Sequence, residues 1–88
     1  MSPAEIRAMV IEGLAAAGIT SLRNSGLTQS FLDGECDIAF SEIEMDSLAT
    51  MELCIAIEAN TGVTILPEDL QHIDSLGGLV SRIGAAVA

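Results

Sequence analysis

Chemistry in this chain points first to Ser47. Asp46-Ser47-Leu48 stands where a loosely patterned acidic stretch gives way to a strongly apolar one, Leu48-Ala49-Thr50-Met51-Glu52-Leu53. Asp46 is suited to be an N-cap, which puts Ser47 in the first turn of a helix. That turn leaves backbone N–H groups without partners, and its dipole favours anions. A phosphodiester on the Ser47 hydroxyl therefore carries little electrostatic cost. Nothing equips the hydroxyl as a catalytic nucleophile: His72 is the one histidine, and no Gly-x-Ser-x-Gly is present. Ser47 reads either as a plain helix-start serine or as the substrate of a modifying enzyme.

Other reactive residues carry weaker patterns. Counting from Asp33, acids fall at positions 1, 3, 5 and 12 (Asp33, Glu35, Asp37, Glu44), as in a calcium-binding loop, but Ile38 occupies the sixth position, where the sharp turn requires glycine. The expectation is no metal site, with a small acidic calcium-binding module as a minor alternative. No Cys/His cluster accompanies His72, which reads as a surface side chain. Cys36 reads as an exposed loop thiol without a cationic activator and Cys54 as a buried thiol beside Ile57; neither is expected to form a disulfide.

The elements that must position Ser47 are helical. Ser2-Pro3-Ala4-Glu5 is a capping box with proline at the first helical position. Ile6, Met9, Val10, Gly13, Leu14 and Ala17 recur at helical spacing, so a first helix is expected over 3–17, with Gly18 closing it. Residues 19–45 show no strong period. They form a long loop, ordered in parts, that Leu22, Leu27, Phe31, Leu32, Ile38, Phe40 and Ile43 pin to the helices.

A second helix spans about 47–60 with two apolar stripes. Thr50, Leu53 and Ile57, with Cys54 at the edge, face the core; Leu48, Met51 and Ile55 form the other stripe beside Ser47, flanked by Glu52 and Glu58. A domain this small cannot bury both, so the second stripe is expected to meet a partner. Val63–Leu66 is an extended connection, Pro67 opens a short third helix, and Asp74 or Ser75 caps the last one. Leu76, Leu79, Val80, Ile83 and Val87 share its stripe. Gly77 and Gly78 weaken its first turn by roughly 1 kcal/mol each relative to Ala, so fraying is expected there. The fold class is all-α: a four-helix bundle, three longer helices plus a short third one, with a long loop between the first two. Residues 1–88 are expected to be one domain.

Asp46-Ser47-Leu48 followed by Met51-Glu52-Leu53 resembles the attachment motif of acyl carrier proteins. Phe40 and Ile43 before the motif, and Glu58, Gly62, Ile65 and Pro67 after it, are similar to what that family places there. The resemblance implies a free-standing carrier with a 4′-phosphopantetheine arm, derived from coenzyme A, on Ser47 and cargo held as a thioester on its thiol. It implies that Asp46 engages the phosphopantetheinyl transferase and its metal, and that Glu44, Leu48, Met51, Glu52, Ile55 and Glu58 meet partner enzymes. Those partners are the transferase, an acyl- or aminoacyl-loading enzyme and downstream synthases with basic patches, in fatty-acid, polyketide or related nonribosomal biosynthesis. The chain itself is expected to be non-catalytic. It departs from the pattern at Glu44, where many carriers have glycine, at Ala49, where an acid is common, and at Leu66, one extra residue before Pro67. An aminoacyl or peptidyl carrier, and a plain protein-interaction module, remain the alternative readings.

Composition agrees with an acidic interaction protein. The formal net charge is −10, half of the 88 residues are apolar, and neither Trp nor Tyr is present. Between Asp33 and Asp74 eleven acids stand with no Lys or Arg; Arg7, Arg23 and Arg82 all lie outside that span. Such a field repels nucleic acid, favours docking on basic surfaces and keeps a small apolar protein soluble. No run is long enough to span a membrane and Met1–Glu5 does not begin a signal peptide. A cytoplasmic monomer is the expectation.

Overall fold

The computed structural model describes residues 2–19, 26–43 and 45–87. Leu22 and Glu44, both assigned roles above, lie outside them. The elements in order are α1 (Pro3–Ala16), α2 (Gly26–Leu32), a 3₁₀ turn (Phe40–Glu42), α3 (Ser47–Thr61), α4 (Pro67–Leu70) and α5 (Leu76–Val87). No strand occurs among the described residues, and the all-α class holds.

Helices α1, α3 and α4 start where local chemistry dictates. The capping box of α1 is formed: Glu5 N–H donates to Ser2 Oγ, and Ser2 N–H donates to the Glu5 carboxylate. Its C-terminus closes as a Schellman turn, with Ile19 N–H donating to the Leu14 carbonyl and Gly18 N–H to that of Ala15. Asp46 caps α3, which runs one residue further than expected and ends on left-handed Gly62. Pro67 opens α4, where the Leu66 N–H donates to the Asp69 carboxylate at 3.1 Å.

The core is the meeting of α1, α3 and α5, with α2 laid against α1 and α4 against α3. Ile6, Val10 and Leu14 of α1, Leu53 and Ile57 of α3, and Leu76, Leu79 and Ile83 of α5 are almost wholly buried. Gly13 lets α1 approach α3 closely, since a Cβ there would stand 3.1 Å from Leu53 Cδ1 and 3.3 Å from Ala56 Cβ.

Two features depart from the expectation. The stretch between the first two long helices is not all loop: α2 forms within it and drives Phe31 into the core, while Ile38 and Ile43 are also buried. Seven residues with a single buried side chain are too few for a helical period to register. Leu27, expected to help pin this segment, is instead exposed.

The second departure is the start of α5, which does not hang on glycine propensity alone. The Asp37 carboxylate accepts from Gly77 N–H at 2.7 Å and from Ile38 N–H at 2.8 Å, and Ser75 Oγ accepts from Gly78 N–H at 3.1 Å. Backbone bonds from Phe40 N–H to the Asp74 carbonyl and from Leu76 N–H to the Ile38 carbonyl stitch the same two segments. A Cβ on Gly77 would lie 2.8 Å from the Asp37 carboxylate, so glycine is what lets the carboxylate reach the helix end. Of the two residues proposed as caps, Ser75 performs the role. Asp37, counted above in a calcium-loop pattern, spends its carboxylate on α5.

Candidate functional site

Ser47 is the first residue of α3 and is solvent-exposed. Ala49 N–H donates to Asp46 Oδ1 at 2.7 Å, and the Thr50 hydroxyl and N–H both donate to the Asp46 carbonyl. The Ser47 hydroxyl makes no hydrogen bond, and the Ser47 and Leu48 N–H groups have no partner, among the described residues. The start of α3 thus presents a free hydroxyl and two free backbone donors, an arrangement suited to an esterified phosphate.

One side of α3 is committed to the core through Ala49, Leu53, Cys54 and Ile57. On the other, Leu48 is 64% exposed, Met51 52% and Ile55 64%. Three large apolar side chains on successive turns facing water form a surface suited to a partner. Glu52 is half-buried and Glu58 exposed along its flanks. Leu66, 46% exposed, is another large apolar side chain near this surface, not marked for it in the sequence. Its position as the extra residue before Pro67 was the available signal.

A groove of about 510 Å³ opens beside Ser47. Phe40, Ile43, Met45, Asp46, Thr50, Met51, Pro67, Leu70 and Gln71 complete its lining with Ser47. A depression of about 190 Å³, sharing Met51 and Pro67 with it, continues toward Ile55, Glu58 and Leu66. A larger groove of about 660 Å³ lies between the starts of α1 and α5, lined among others by Arg7, Cys36 and Asp37, and includes no residue of the Ser47 surface. Size alone favours that one, but the free hydroxyl, the open helix end and the exposed stripe all belong to the smaller groove.

Neither cysteine lines the groove beside Ser47, and Cys54 borders only the adjoining depression. Burial, and secondarily the Asp69 carboxylate, push the Cys54 thiol above its ordinary pKa. Cys36 is half-buried rather than exposed, with Sγ 3.6 Å from the Leu27 carbonyl. Among the described residues no three acids, cysteines or histidines gather as a metal site, and no helix is long and apolar enough to cross a membrane.

The chain belongs to the phosphopantetheine attachment site family, whose family model matches residues 27–83. Proteins of this family bind 4′-phosphopantetheine covalently, serve as substrates of phosphopantetheinyl transferases and interact with biosynthetic enzymes. No curated protein and no solved structure matches the chain. The residues present fit such a group: the start of α3 offers an exposed hydroxyl and two backbone N–H groups without partners among the described residues, and the adjoining groove is more apolar than polar.

Proposed function

We propose that Ser47 carries the 4′-phosphopantetheine arm, and that residues 1–88 act as one acyl carrier domain in fatty-acid, polyketide or related nonribosomal biosynthesis. The arm supplies a terminal thiol on which intermediates are held as thioesters. The observation that carries the reading is the exposed, unbonded Ser47 hydroxyl at the capped start of α3, inside the matched span. The packing of α1, which precedes that span, against α3 and α5 supports a single domain.

The chain's own residues divide the work. Asp46 holds the first turn through the Ala49 N–H and adds a carboxylate beside the hydroxyl for the transferase to read. Leu48, Met51 and Ile55 provide the apolar contact, where binding energy concentrates. Glu52 and Glu58 flank that stripe as an acidic rim that steers basic partner enzymes, with Glu44 adding its charge close by in sequence, and each pair contributes little by itself. Fast association with modest affinity suits a protein visited by a loading enzyme and then by downstream synthases.

The test is the intact mass after incubation with coenzyme A, magnesium and a promiscuous phosphopantetheinyl transferase. The expected result is a gain of one phosphopantetheinyl group in the wild type and none in a folded Ser47→Ala variant. A gain that survives Ser47→Ala refutes the assignment.

A further inference from the structure

We propose that Gln71 is a positioning residue for the arm: its carboxamide pairs with an amide of the 4′-phosphopantetheine chain lying in the groove beside Ser47. The proposal rests on the reading of Ser47 as the attachment residue.

The groove's volume is within the range of sites that hold small organic groups. Its walls are mostly apolar, with Ile43 and Leu70 buried and Phe40 and Met45 half-buried. The arm is a run of methylene and methyl groups interrupted by two secondary amides. Its apolar parts gain by lying on such walls, but an amide drawn from water without a partner is penalised. A groove that retains the arm therefore needs a side chain able to donate and accept.

The polar lining narrows the choice. Asp46 Oδ1 is occupied by the Ala49 N–H, and a carboxylate has no proton to give an amide carbonyl. The Thr50 hydroxyl already donates to the Asp46 carbonyl at 2.9 Å. Ser47 is consumed by the ester. The Gln71 side chain, with two N–H donors and a carbonyl oxygen, has no partner among the described residues. It also springs from a fixed point, the C-cap of α4, where the backbone is helical (φ −66°, ψ −20°). One carboxamide can satisfy both the N–H and the carbonyl of a facing amide.

The experiment loads the full chain with a nitrogen-15-labelled arm and measures hydrogen exchange of the two arm amides by NMR. Free labelled coenzyme A in the same buffer is the reference. In the wild type one arm amide is expected to exchange about fivefold more slowly than the reference, the effect of one hydrogen bond. In Gln71→Leu, which removes an exposed side chain without structural partners, that protection is expected to vanish while the melting temperature holds. Equal exchange in wild type and reference, or protection undiminished in Gln71→Leu, overturns the role of Gln71. Failure to load, or loading that persists in Ser47→Ala, overturns the Ser47 reading and this inference together. Loading lost in Ser47→Ala without arm protection overturns this inference alone.

Discussion

Asp37 and Gly77 form a cross-link that a double-mutant cycle can weigh. Forty residues apart in sequence, they meet where the Asp37 carboxylate takes the Gly77 N–H at 2.7 Å and the Ile38 N–H at 2.8 Å. Losing a capping carboxylate costs about 0.5–2 kcal/mol, and Asp37 is largely exposed, so about 1 kcal/mol is expected for Asp37→Ala. For a domain of this size that is a fall in Tm of roughly 4–8 °C. Gly77→Ala is expected to destabilise the wild type, because its Cβ would stand 2.8 Å from the carboxylate. In the Asp37→Ala background the same change should gain up to about 1 kcal/mol of helix propensity. The reversal of sign is the signature of the contact.

The pH dependence of this cross-link follows from its charge. Burial raises the Asp37 pKa, but hydrogen bonds from Ser75, Gly77 and Ile38 outweigh it, and the net shift is downward. A group depressed in the folded state contributes stability above its unfolded pKa, near 3.9. That contribution fades as pH falls through the folded value. The gap between wild type and Asp37→Ala in urea unfolding followed by circular dichroism should therefore be full at pH 6 and shrink below pH 4. A gap that is absent at pH 6, or a Gly77→Ala effect equal in both backgrounds, would refute the reasoning.

Three further outcomes are expected. Met51→Glu should leave the melting curve in place, since the side chain is half-exposed, yet raise the transferase KM by about tenfold, a hot-spot-sized loss read by steady-state kinetics. Phe31→Ala should cost about 3–5 kcal/mol, enough to unfold much of a small domain, and denaturant titration measures it. Cys54, buried and with a raised pKa, should be alkylated more slowly than Cys36 at pH 8 and catch up on denaturation, as peptide mass mapping would reveal.

Local chemistry was legible in the chain, and so was much of the site. The capping box at Ser2, the Asp46 cap and Pro67 each act on neighbours within a few residues, so their effects need no knowledge of the fold. The two stripes of α3 follow from helical spacing and from the limit on what 88 residues can bury. Ser47 stood out because a helix start and a motif coincide there. The fourteen residues of α1 likewise declare themselves through a repeat long enough to read.

Tertiary structure decided the rest. Helix α2 exists because Phe31 finds a place in the core, which no seven-residue pattern announces. The start of α5 depends on a carboxylate forty residues away, so its glycines looked like weakness until Asp37 was seen to occupy the space a Cβ would fill. The groove beside Ser47 is assembled from the 3₁₀ turn, α3 and the end of α4. Neither propensity nor periodicity carries information about such distant neighbours; only tertiary packing brings Phe40, Ser47 and Gln71 to one groove.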